Sequence, residues 1–323
     1  MTYEKWLSQT LQQLFRNVHL WILSAPVLLF MWVGQLLGGA TVVGLQSRMS
    51  RMMNNPEVFR DLMKANTPAE MLLALPSVYA RIFGVRLSFV FLGLIVSLLA
   101  WLFTLILKGA VIHQAMPKEE RPPWQESLHV GLNRAPHIFL IDFLLFLPML
   151  FLVGGLIGAI FSLVGVQMAR SGAQMGGSAA GLLFSLFCIA VPVILLYALF
   201  ITFYRPLPYQ ACVQEHLSAL EALKRGWQVF RRRLGPVLVL GVITMVVSFV
   251  LSMLGGLVIS PVQMAVQFAT GIWAVVGLAV WTVVGLIYAL VAVAVMLFQL
   301  ILYAVAWPDL AAEREGLEQP ATG

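Results

Sequence analysis

The chain has 323 residues, 60% of them hydrophobic and only 11% charged, with a formal net charge of +6. Soluble domains carry about 25% charged and 45–50% apolar residues, so this composition excludes an ordinary water-soluble globule and calls for the bilayer as solvent. Two cysteines, with no CxxC or HExxH spacing, exclude a disulfide framework and the common metal motifs.

In chain order, residues 3–18 put Tyr3, Trp6, Leu7, Leu11, Leu14, Phe15 and Val18 on one helical face. Lys5, Gln9, Gln12, Gln13 and Arg16 lie largely elsewhere. This is amphipathic spacing, and aromatics on the apolar side suit a helix lying in the headgroup layer. The polar lead-in and the length of the first apolar span read as a retained N-terminus rather than a signal peptide. Span 1 covers residues 19–45. A polar excursion follows at 46–80, with a helix start at Asn55-Pro56-Glu57 and a capping box at Thr67-Pro68-Ala69-Glu70. Span 2 is 84–112.

Residues 113–135 read as a charged turn around Lys118-Glu119-Glu120-Arg121, then a second amphipathic segment with Trp124, Leu128 and Leu132 on one face. Span 3 is 136–167 and span 4 is 179–204. Residues 205–233 read as a basic loop containing Cys212 and then a surface helix. That helix opens on the capping box Ser218-Ala219-Leu220-Glu221, with Glu221 and Arg225 spaced to pair. Its apolar stripe is Leu217, Leu220, Leu223, Trp227, Phe230 and Leu234. The 75 residues between Arg233 and Asp309 contain no Asp, Glu, Lys, Arg or His. One helix of that length would run about 110 Å, so the chain must fold back, and Ser260-Pro261 to Thr270-Gly271 is the expected place. Spans 5 and 6 are then 235–259 and 272–307, closed by Trp307-Pro308.

The expected fold class is all-α: six transmembrane helices arranged as three hairpins, each preceded by an amphipathic helix. Residues 1–310 form a single membrane domain, and 311–323 a short acidic tail. Thirteen Lys and Arg lie on the side holding both termini and seven on the other. The positive-inside rule therefore places both termini in the cytoplasm, in a bacterial inner membrane.

A pattern recurs along this layout. His19, Pro136 and Pro236 each start a span behind basic residues, and a glycine follows nineteen residues later at Gly38, Gly155 and Gly255. Units of 1–112, 113–204 and 205–310 result, although topology alone also places basic residues before inward-starting helices. The text Leu220-Glu221-Ala222-Leu223-Lys224-Arg225-Gly226-Trp227, with Phe230 and the basic run into Gly235-Pro236, resembles a prokaryotic six-helix membrane family. That family is related to the membrane domain fused to some glycerophosphodiester phosphodiesterases. The resemblance implies a membrane module without the family's soluble catalytic barrel.

Asp142 is the one acid well inside a predicted span, and Lys108 or Arg134 is its expected partner. With Gln35 and Gln299 it forms the candidate polar pathway; Gln263 and Gln267 read as interhelical hydrogen-bonding or interfacial groups. His113, His129 and His137 read as part of a solvated loop rather than a metal site. The GxxxG pairs Gly34/Gly38, Gly154/Gly158 and Gly177/Gly181 read as helix packing, with a homodimer face as the alternative. The candidate lipid or partner surface comprises Trp6, Arg16, Trp124, Arg134, Lys224, Arg225, Trp227, Arg231, Arg232 and Arg233. No cofactor, metal or nucleic-acid partner is expected. The functional expectation is a non-enzymatic membrane scaffold, assembly factor or accessory subunit that contacts anionic lipid or a protein partner. A small-solute or lipid transporter is the alternative.

Overall fold

The computed structural model describes residues 3–34, 87–116, 122–171, 177–268 and 272–312. The 46–80 excursion, Gln35 and Gly38 lie outside them, as do most of the acidic tail and the start of span 2. The described elements are helices: α1 Tyr3–Arg16, α2 Val18–Gly34, α3 Leu87–Ala115, α4 Trp124–Ser171, α5 Gly177–Tyr204, α6 Pro206–Gln214, α7 Ala219–Arg232, α8 Leu234–Phe268 and α9 Ile272–Ala311. There is no strand among the described residues. Five helices are long and apolar enough to cross a membrane, or six if α1 and α2, bent by 71° at Asn17, make one broken span. The chain therefore has the build of a multi-pass helical membrane protein.

Three boundaries differ from the sequence expectation. Pro136 does not start a span: α4 runs unbroken from Trp124 through Pro136 and Pro148 for 48 residues. A helix of that length reaches about 72 Å against a hydrocarbon core of about 30 Å, so its first turns project beyond the apolar layer. The segment expected as a separate surface helix is thus the projecting end of a span. Pro261 and Pro308 likewise lie inside α8 and α9, which continue past them to Phe268 and Ala311. A proline removes one backbone hydrogen bond, and neighbouring helices in a bundle tolerate that loss. Residues 205–217 are not an open basic loop. Pro206 opens α6, a helix buried on every side from Leu207 to Val213, and Cys212 is fully buried there.

Helix α6 is the hub. It touches α3, α4, α5, α7 and α9, while α1 packs on α9. Around it gather the buried apolar residues, among them Leu20, Ile112, Ile138, Ile141, Leu240 and Ile301. Among the described residues the opposite end of the bundle shows no such centre: Leu150, Phe151, Leu195, Leu196, Phe249 and Leu257 are all exposed. Of the described helix pairs, α3 and α4 have the most extensive contact. Those two helices belong to different units in the hairpin scheme.

Glycines explain how the closed end packs so tightly, but they are not the ones the GxxxG spacing selects. A Cβ on Gly131 would sit 2.4 Å from the Ile106 carbonyl oxygen, and one on Gly109 would sit 2.9 Å from the Gly131 Cα. The α3–α4 crossing thus has backbone against backbone. At Gly241 a Cβ would overlap the Phe203 ring, and at Gly226 it would meet Pro208. Gly34, Gly154 and Gly158 have nothing within 4 Å of that position, so the packing role expected for them is not borne out. The surroundings of Gly177 and Gly181 are not among those described.

Candidate functional site

The polar chemistry of the closed end centres on Asp142. Its side chain, 6% exposed, accepts from Lys108 Nζ at 2.8 Å on one oxygen and from Arg205 Nε at 2.8 Å on the other. The Tyr209 hydroxyl donates to the same oxygen as Arg205, accepts from Arg205 Nε, and receives Lys108 Nζ at 3.3 Å. Four elements supply the group: Lys108 from α3, Asp142 from α4, Arg205 from the α5–α6 joint and Tyr209 from α6. Pro206 turns the chain there, so Arg205 and Tyr209, four residues apart, both reach Asp142. The Tyr209 ring lies 4.8 Å from Lys108 Nζ, and the Phe146 ring lies 5.1 Å from the Arg205 guanidinium carbon. Ion pairs taken out of water hold only when their geometry is good and their remaining lone pairs are satisfied, as here.

Of the two partners expected for Asp142, Lys108 is confirmed and Arg134 is not. Arg134 instead reaches His216, with Nη2 2.9 Å from the ring Nδ1 and Nη1 donating to the carbonyl oxygen at 3.3 Å. His216 holds the joint between α6 and α7 at φ 56°, in the left-handed region. The His113 neighbourhood is buried rather than solvated: His113 Nδ1 lies 3.2 Å from Ser127 Oγ, which donates to Gln114 Oε1 at 2.6 Å.

A cavity of about 350 Å³ opens beside the cluster. Lys108, Arg205, Tyr209 and Gln299 form its polar wall, and Phe146, Met149, Ile201 and Met296 much of its apolar wall. Gln299 is fixed by donating to Ser248 Oγ at 2.7 Å. Two of the three candidate pathway residues are thus associated with one feature: Gln299 lines the cavity, and Asp142 stands behind its cationic wall. Gln35 lies outside the described residues, and the side chains of Gln263 and Gln267 are not described. The volume falls in the range of small-ligand sites.

The candidate surface residues divide. Trp6 is not at the surface: it is buried, and its indole Nε1 donates to Asp309 Oδ2 at 2.7 Å. With Thr10 and Leu14 it forms the face of α1 that packs on α9. Of the rest of the expected apolar face, Leu7 is half-buried against the core and Tyr3, Leu11, Phe15 and Val18 are exposed. Helix α7 is built the same way. Ala219, Ala222, Gly226 and Val229 pack inward, while Leu220, Trp227 and neighbouring Leu234 remain exposed. The apolar stripe expected on this helix is therefore divided: Leu217, Leu223 and Phe230 pack against the core, and Leu220, Trp227 and Leu234 form an outer flank. Trp227 and Phe230 stack at 5.7 Å, edge-on to Phe200 and Tyr204 at the end of α5.

The basic residues divide as well. Arg225 does not pair with Glu221; it reaches Glu215 at 3.1 Å and donates to the Ala311 carbonyl oxygen. Arg233 donates to the Ala312 carbonyl oxygen. These two arginines cap the C-terminal end of α9, where orphan carbonyls and the helix dipole favour cations. Arg16, Lys224, Arg231 and Arg232 are exposed, and Trp124 is half-buried at the start of α4. Glu221 keeps its capping role: the hydroxyl and backbone N–H of Ser218 donate to it at 2.7 and 3.1 Å, holding the carboxyl below its usual range. Comparison with protein-family models, curated proteins and solved structures gives no match.

Proposed function

We propose that this chain is a non-enzymatic scaffold, assembly factor or accessory subunit of a bacterial inner membrane, working through its basic cytoplasmic surface helices. The reading follows the family resemblance in its helix-and-basic-run text, and it keeps both termini in the cytoplasm. The observation that carries it is the two-sided build of α1 and α7. Each docks one face on the bundle and leaves a second apolar flank outside, Phe15 and Val18 on one, Leu220 and Trp227 on the other. An exposed apolar flank beside Lys224 and Arg231 suits the headgroup layer or a partner helix lying in it. The 71° bend at Asn17 suits the same placement, with α1 along the surface and α2 crossing.

The test is a native-mass measurement on gently extracted protein, with Phe15, Val18 and Leu220 replaced by Ser. The expected result is loss of a stoichiometric partner or of annular lipid at unchanged melting temperature. Unchanged assembly in that variant, or solute movement by the purified chain alone in liposomes, would sink the scaffold reading. The cavity beside Gln299 favours one alternative, a small-solute or lipid transporter with its path between the hairpins. That alternative predicts solute movement by the parent, abolished by Gln299→Leu.

A further inference from the structure

The cluster around Asp142 is unbalanced: two cations face one carboxylate. Among the described residues Asp142 is the one acid within ion-pair distance of Lys108 or Arg205. A surplus positive charge between apolar helices is expensive unless an anion or water answers it. Arg205 also has unused donors. A guanidinium carries five N–H groups. Its Nε serves Asp142 and Tyr209, and its terminal nitrogens make no hydrogen bond to any described residue. That side chain is 31% exposed, and it lines the cavity.

We propose that this cavity binds a phosphate group, carried by a lipid headgroup or by a free ion, on the terminal nitrogens of Arg205 and the ammonium of Lys108. The terminal edge of a guanidinium matches two oxygens of a phosphate, and a lysine beside it adds a point charge. Asp142 and Tyr209 hold both cations from behind, so the site is shaped before ligand arrives. Phe146, Met149, Ile201 and Met296 offer an apolar wall on which a lipid's glycerol and first methylenes can lie. The site is separate from the surface helices, and it stands whether or not the scaffold reading does.

The experiment uses the full chain purified in mild detergent, with bound phospholipid counted by mass spectrometry. Arg205→Gln and Lys108→Gln each leave one cation to neutralise Asp142 while removing the surplus charge. Loss of a charge-assisted hydrogen bond should weaken retention about 10- to 100-fold. Ile201→Trp fills the cavity without touching a charge, and carries the test should either charge variant fail to fold. Delipidated protein is then offered phosphatidylglycerol vesicles or inorganic phosphate alone, and its thermal shift is read. Stabilisation by vesicles but not by phosphate supports the lipid source, and stabilisation by phosphate alone supports the free ion. No stabilisation by either, or an Ile201→Trp protein that responds like the parent, overturns the proposal.

Discussion

Asp142 and Leu150 stand on the same helix about 12 Å apart along its axis, and their surroundings are opposite. Asp142 is gripped by three side chains from three other elements, in a region where α6 plugs the bundle. Leu150, two turns on, is 68% exposed. At the closed end protein supplies the packing, glycine lets backbones meet, and both oxygens of the Asp142 carboxylate have named partners. At the open end apolar side chains face outward, and in a bilayer lipid would supply the contact. Lipid tails are as apolar as leucine, so nothing drives those side chains together. The contrast predicts where substitutions should matter.

The largest effect should come from Asp142→Asn, which leaves two cations facing each other in a buried site. Removing one partner of such a group costs about 3–5 kcal/mol, seen as a lowered denaturation midpoint in detergent. Leu150→Ala, on the same helix, should stay within about 0.5 kcal/mol. Equal losses at the two sites would erase the distinction between the two ends. Next comes Gly131→Ala, whose Cβ would press on the Ile106 carbonyl; overpacking of that kind costs about 1–3 kcal/mol. Gly154→Ala meets open space and should be neutral or slightly favourable, since alanine is the better helix former. A comparable loss, about 3 kcal/mol at most, should follow Trp6→Phe, which keeps an aromatic side chain and removes the bond to the Asp309 carboxylate. Intrinsic fluorescence and thermal melts together would separate that loss from a general loosening.

The smallest effect concerns pH. The Glu221 carboxyl is held below its ordinary value by Ser218, so its contribution to the α7 cap is complete above the usual carboxylate range. It fades as pH falls through the depressed folded value. Hydrogen-exchange protection at the first turn of α7, taken relative to the intrinsic rate at each pH, should fall on acidification in the parent and show no such step in Glu221→Gln.

Helical class and approximate spans are legible in the chain because apolar runs of about 20 residues leave few other options. The Asp142–Lys108 pair is legible for a related reason: a lone acid inside a span must find a cation, and Lys108 sits at the matching depth of the preceding one. Arg205 is hidden because it falls at a span end, where basic residues are expected for topology alone. The signal that could have exposed it is Tyr209 four residues later, across a proline that keeps both on one side. GxxxG spacing misleads because it describes a local pattern, whereas close approach depends on where two helices cross. Gly109 and Gly131 have no motif around them and lie at the crossing. Proline misleads at 136, 261 and 308 for the converse reason, since a local breaker yields when neighbours hold the helix. The apolar stripe of α7 is only half informative, because pattern alone does not say which of its residues meet protein.

The bond between Trp6 and Asp309 joins α1 to the end of α9, and so it sets an order in time. A chain inserted from its N-terminus presents α1 at once, yet the surface α1 docks on arrives only when α9 is complete. Throughout synthesis α1 must wait with its tryptophan unburied, resting its apolar side on whatever membrane surface is near. Helix α1 is therefore seated only after α9 has been made, and closure of this end of the bundle reports that the helices between them have been synthesised.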